Sequence, residues 1–301
     1  MKSIFSRFLI AAMMVIVTLS AVSFAETYTL SQTITLYPGS SASTGGFNMT
    51  RDVAFDQNGY MYVTNAGSAR VLKLDLAGNW SIFGTGLSNP GSITYANGRM
   101  WVTDGNSIKY LYTYMAPTAA WTTLPINNSS TLSTFTGIAV TGGGTVYFSC
   151  SGTYGGAYVV KPAKIGGNTA TRLYYSQSTN GVALDAVNRL YLSAQGSIYC
   201  SYNFVEQAYG WVRILGPLGA TNDIACDSAN KLYVAIPGSS SSIRKYDPAT
   251  GVMLAQMGDY STCRDPYGVT IKPGTTNVYT ALPGSNKIVV FKPFVKSYFP
   301  Y

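Results

Sequence analysis

The chain has 301 residues, with 20 Lys and Arg against 12 Asp and Glu, a formal charge of +8, only 11% charged residues and no histidine. Without histidine there can be no Ser/His/Asp triad, no Cys/His dyad, no histidine-held zinc and no histidine general base. The positive residues are scattered, with no basic run and no basic patch interleaved with aromatics, which speaks against nucleic acid as a partner.

Lys2 and Arg7 precede the apolar run FLIAAMMVIVTLSAV, and small residues follow it around Ser23, Phe24 and Ala25. This is the layout of a secretory signal peptide over residues 1–25, cleaved after Ala25, and the run is short for a bilayer span of about 20 residues. Residues 26–301 are therefore expected to be a single domain without a membrane span, a monomer that is secreted to the periplasm or the extracellular space. Removing Lys2 and Arg7 takes the formal charge from +8 to +6. Cys150, Cys200, Cys226 and Cys263 lack the CxxC spacing of a zinc ribbon or redox motif. In an exported chain they can pair in three ways or stay as buried thiols.

After a strand-like segment, YTLSQTITLYP at residues 28–38, one unit repeats six times: RDVAFDQNGYMYVTN, GSITYANGRMWVTD, TGIAVTGGGTVYFSC, NGVALDAVNRLYLSA, NDIACDSANKLYVAI and YGVTIKPGTTNVYTAL. The strand-opening residues Val53, Ile93, Ile138, Val182, Ile224 and Val269 lie 40, 45, 44, 42 and 45 residues apart. Such a period, with four short strands per unit, predicts a β-propeller. In the first unit, strand a is Val53 to Phe55, DQNG turns, Met61 to Thr64 is b, AGSA turns, Val71 to Leu74 is c, LAGN turns, and Trp80 to Phe83 is d. The sixth unit runs out of chain after KIVVFK, so residues 28–38 are expected to supply its outer strand and close the ring. The aromatic tail at 294–301 would then lie over the closure.

The units YVTN-AGSARVLKLD and PYGVTIKPGTTNVYTALPGSNKIVVF resemble the NHL-repeat and YVTN-repeat β-propeller families over essentially all of the chain after residue 25. That resemblance implies an all-β, six-bladed ring of four-stranded antiparallel blades with ligands met on one face; it specifies the fold and not the chemistry. The streptogramin lyases and peptidyl-amidoglycolate lyases resemble the chain too, but their activities depend on histidines. Lactonases of the gluconolactonase and senescence-marker type are similar in fold, and this likeness implies a divalent metal held by carboxylate and asparagine ligands near the axis. The glutamate that opens their first unit is absent here, where MTRDVAFD stands.

The carboxylates sort by place in the repeat. Asp56, Asp185 and Asp227 follow strand a and suit capping of the a–b turn; Asp75 and Asp247 end strand c. Asp52, Asp104, Asp223 and Asp265 sit where strand a begins or strand b ends, at one end of the blades, and come from consecutive units of a closed ring. With Asn65, Asn180 and Asn222 they form an expected polar rim. Asp52, Asp104 and Asp223 offer hard oxygen ligands suited to Ca²⁺ or to a sugar. Alternatively, Arg51 and Arg264, each beside an Asp, pair with the carboxylates. Tyr62, Trp101, Tyr147, Tyr191, Tyr233 and Tyr279 recur in every b strand, so they are expected to pack between blades.

These residues lead to the expectation of a non-catalytic binding module that meets a protein or carbohydrate ligand on the face of the d–a and b–c loops. The alternative is a divalent-metal-dependent lactonase or hydrolase of the gluconolactonase-like type, using Asp52, Asp104 and Asp223.

Overall fold

A computed structural model describes residues 26–35, 46–161, 168–201 and 210–294. These residues form six four-stranded antiparallel sheets, each in sequential order from the inside outward except the last. The inner strands are Thr50–Phe55, Pro90–Ala96, Phe135–Val140, Thr179–Leu184, Asp223–Cys226 and Val269–Ile271. The sheet order makes this a six-bladed propeller, as the repeat predicts. Residues 1–25, expected to be a signal peptide, and all of the tail beyond Phe294 lie outside the described residues.

The a–b turn shows why the repeat folds locally as it does. In the first blade, Asp56 Oδ1 accepts the amides of Asn58 at 2.9 Å and Tyr60 at 3.1 Å, while Oδ2 accepts the Tyr62 hydroxyl at 3.0 Å. Asp185 and Asp227 do the same, taking Tyr191 at 3.2 Å and Tyr233 at 3.1 Å. One carboxylate therefore satisfies the turn amides and the buried phenol of strand b together, which fixes the Tyr–Asp spacing of the repeat. The repeated b-strand rings of Tyr62, Trp101, Tyr191 and Tyr233 are fully buried.

Each core cluster bridges neighbouring blades. One joins Ala54, Tyr62, Val71 and Phe83 of the first blade to Ile93, Met100, Leu111 and Trp121 of the second. Edge-to-face ring pairs cross blade boundaries, Phe83 with Trp121 at 5.6 Å and Phe55 with Tyr279 at 4.8 Å. Such pairs contribute about 0.5–1.5 kcal/mol beyond their burial.

The ring closes with the N-terminal segment. Tyr28–Ile34 pairs antiparallel with Lys287–Pro293 and becomes the outermost strand of the sixth blade, outside Val278–Leu282 and Val269–Ile271. Cys150, Cys200, Cys226 and Cys263 are free thiols.

Candidate functional site

The inner strand begins earlier than the apolar pattern suggests. In the first blade it starts at Thr50, paired with Asn65, and a β-bulge between Thr50 and Val53 carries Arg51 and Asp52. Equivalent bulges precede Ile93 and Val182. A bulge leaves residues outside the ladder and re-aims their side chains, and so polar residues occupy this stretch.

The residue just before each strand-opening Val or Ile is Asp52, Ser92, Gly137, Gly181, Asp223 and Gly268 in turn. These positions ring one end of an axial cavity of about 280 Å³, whose lining includes Asp52, Ser92, Asp223, Tyr95 and Cys226. Asp52 Oδ2 accepts the Ile93 amide at 2.8 Å and the Ser92 hydroxyl at 2.9 Å, and Oδ1 accepts the Val53 amide at 2.7 Å. Asp223 Oδ2 accepts the Val269 amide at 3.0 Å. A Cβ on Gly268 would stand 2.2 Å from Asp52 Oδ1, so glycine there leaves the carboxylate its space. The two carboxylates thus border adjacent residues, Asp52 at Gly268 and Asp223 at Val269.

Asp52 is only 4% exposed and Asp223 only 9%. Burial pushes Asp52 up to about 7, against the opposing hydrogen bonds from Ile93, Val53 and Ser92. Asp223 lies well above the usual carboxylate range, through burial first and the charge of Asp52 second. Two buried carboxyls that feel one another cannot both ionise cheaply, so the pair retains a proton at neutral pH.

The other expected rim residues serve elsewhere. Asp104 is paired with Lys109 at 2.7 Å and accepts the amides of Ser88 at 2.9 Å and Asn89 at 2.5 Å. Asp265 accepts the Gly238 amide at 2.9 Å and lies 3.7 Å from the exposed Arg264, which also covers the Tyr260 ring. Arg51 reaches the Asn89 side chain at 3.0 Å and lies over Tyr267. Asn222 Nδ2 donates to the Pro266 carbonyl at 2.8 Å, Asn180 Nδ2 to Thr221 at 2.5 Å, and Thr136 Oγ1 to Thr179 at 2.9 Å. One position of the repeat therefore latches each of these blades to the next. Arg51, Asn180 and Asn222 belong to that latch, and neither arginine pairs with Asp52 or Asp223.

Asn65 is fully buried, accepting the Asn48 amide at 2.5 Å and donating to the Gly46 carbonyl at 3.3 Å. It pins the chain that leads into the first blade. Asn65→Ala is expected to cost about 1–3 kcal/mol through the unsatisfied backbone groups, read as a lower urea midpoint; an unchanged midpoint would count against this role.

Sequence reasoning missed Ser92, Gly268 and Thr64, whose hydroxyl accepts the Asp52 amide at 2.8 Å. The column Asp, Ser, Gly, Gly, Asp, Gly, read down the six units, carries the signal. Its two acids stand on either side of a glycine blade.

Solved structures share this frame. A gluconolactonase from Xanthomonas campestris matches with a TM-score of 0.67 at 13% identity, over 82% of this chain and 86% of its own. A luciferin-regenerating enzyme matches with 0.64 at 13%, over 87% and 95%, and a streptogramin B lyase with 0.61 at 14%, over 89% and 98%. No protein-family model and no curated protein sequence matches the chain. At such identities the likeness carries the six-bladed fold. The expectation of a non-catalytic binding module is corrected on this finding, because these three structures are a gluconolactonase, a luciferin-regenerating enzyme and a lyase.

The donors present do not fit the metal that the gluconolactonase likeness implies. Among the described residues no group of three or more His, Cys, Asp and Glu could hold an ion. Asp104 is committed to Lys109 and to loop amides, which leaves Asp52 and Asp223 as two carboxyls without a third. The implied ligand set of Asp52, Asp104 and Asp223 is not brought together.

Proposed function

We propose that the protein is a hydrolase of the lactonase type that works through the Asp52–Asp223 pair at the mouth of the axial cavity. The observation that carries this reading is the pair itself, two buried carboxyls flanking one glycine and retaining a proton at neutral pH. In this reading Asp223, raised by burial and by the charge of Asp52, donates a hydrogen bond to the lactone carbonyl. Asp52, as the carboxylate, takes a proton from water as the water oxygen attacks the carbonyl carbon. Collapse of the tetrahedral intermediate breaks the ring C–O bond, and the proton on Asp52 passes to the departing alkoxide. The products are a hydroxy acid and the restored pair. Paired carboxyls with separated pKa values are suited to this division of labour.

The streptogramin lyase likeness supplies no competing chemistry, since the chain has no histidine. The NHL and YVTN naming of the repeat, and export through residues 1–25, belong to the same proposal. They describe the scaffold and its compartment, not the reaction.

The test is a pH-stat assay on γ- and δ-lactones and simple esters, with and without chelator. Ring opening should rise as pH passes about 7, where Asp52 ionises, and should survive chelation. No ring opening above buffer, or complete loss with chelator, would overturn the proposal.

A further inference from the structure

We propose that a recess on the outer flank, between the first and second blades, is a second binding site that takes one pyranose unit of a neutral glycan. The recess measures about 430 Å³ and is lined by Tyr60, Lys73, Asp75, Thr113, Tyr114 and Pro117 among others. Its size falls within the roughly 300–1,000 Å³ of small-molecule sites. It lies away from the channel and does not depend on the chemistry proposed there.

Tyr114 is 76% exposed, and its ring leans on a neighbour. It stacks on Tyr112 at 5.2 Å with the planes 33° apart. Tyr112 in turn carries the Arg99 guanidinium 4.4 Å from its centroid, and the same guanidinium lies 4.9 Å from Tyr110. The backbone beneath is fixed by the Thr113 amide to the Gly98 carbonyl at 3.0 Å and by the Met115 amide to Tyr112 at 3.1 Å. A large exposed ring that leans on a neighbouring ring can stack its open face on the C–H face of a sugar.

The polar groups complete the chemistry. Lys73 Nζ sits over Tyr60 at 4.4 Å and Tyr62 at 5.5 Å, and among the described residues no carboxylate forms a salt bridge with it. Asp75 is bound at 2.8 Å and 3.0 Å by the amide and side chain of Asn79, which keeps it ionised. A sugar hydroxyl both donates and accepts, so neighbouring hydroxyls can give a proton to Asp75 and take one from Lys73. One charge of each sign leaves no preference for an anion, which favours a neutral sugar over an acidic one.

The test is native affinity electrophoresis of the full chain in gels containing laminarin, xylan or galactomannan, with polygalacturonate as the acidic comparator. At least one neutral polysaccharide should retard the wild type. Tyr114→Ala and Lys73→Met should each weaken that retardation about tenfold or more, leaving lactone opening unchanged. No retardation by any neutral polysaccharide, equal retardation of wild type and Tyr114→Ala, or retardation by polygalacturonate alone would overturn the proposal.

Discussion

Asp52→Asn and Asp223→Asn are each expected to lower lactone opening by about 10²–10⁴-fold and to raise the melting temperature at pH 8. The two effects have one cause. Burial holds Asp52 at about 7 in the folded chain against an ordinary 3.8, and Asp223 is raised as well. The folded state therefore grips these protons more tightly than the unfolded chain does. Their contribution to stability is complete below the ordinary carboxyl value and is lost as pH rises, for Asp52 through about 7, opposite in sign to a salt-bridged aspartate. Wild-type melting temperature should fall between pH 5 and pH 8. Asparagine carries no charge to bury, so each variant should flatten part of that fall. In the Asp52→Asn variant the remaining side-chain oxygen can still accept Ile93 and Ser92. The lost acceptor for Val53 costs about 1 kcal/mol, less than the few kcal/mol of burying an ionised carboxyl. Calorimetry across this pH range decides the matter: variants that melt below wild type at pH 8 with the slope intact would sink the paired-acid reading.

How legible this site was in the sequence follows from what repeats and what does not. The blade architecture is written six times over in the strand-opening Val or Ile and the aromatic of strand b, and in three blades the spacing of Tyr62 with Asp56, Tyr191 with Asp185 and Tyr233 with Asp227 is a local hydrogen-bond requirement. Asp52 and Asp223 could be singled out because they depart from the repeat at one column. Their companions could not, because Asn180, Asn222 and Asp104 also stand near the start of strand a or the end of strand b. Only the directions set by the bulge and by the b–c turn send the asparagines to the next blade and Asp104 to Lys109. Ser92 and Gly268 carry no chemistry in sequence; they matter for what they donate to Asp52 and for the space they leave it. Tyr114 lies outside the repeated columns, in a connection whose fixed course depends on Gly98, a residue of the preceding turn.

Deleting residues 26–35 is expected to abolish cooperative melting. Tyr28–Ile34 covers Lys287–Pro293 from Ile288 to Phe291, four apolar residues that are fully buried in the closed ring. Their exposure would cost about 1.5–3 kcal/mol each, on top of a bare sheet edge open to intermolecular pairing. The loss reaches the fifth blade as well. Glu26 pairs with the nearly buried Lys245 at 2.5 Å and its amide reaches the Leu254 carbonyl at 2.9 Å, while the Tyr28 hydroxyl meets that of Tyr233 at 3.4 Å. Without the strand an ammonium is left buried without its carboxylate, a change that typically costs several kcal/mol. Calorimetry and size exclusion read the outcome, and a synthetic peptide of residues 26–35 added in trans should restore a cooperative transition by rebuilding the outer strand. A deletion variant that melts cooperatively within a few degrees of wild type would show that the sixth blade holds its edge without the N-terminal strand. Closure would then rest on the core that the first and sixth blades share, where Val53, Phe55 and Met61 pack with Ala281, Ile288 and the ring of Tyr279.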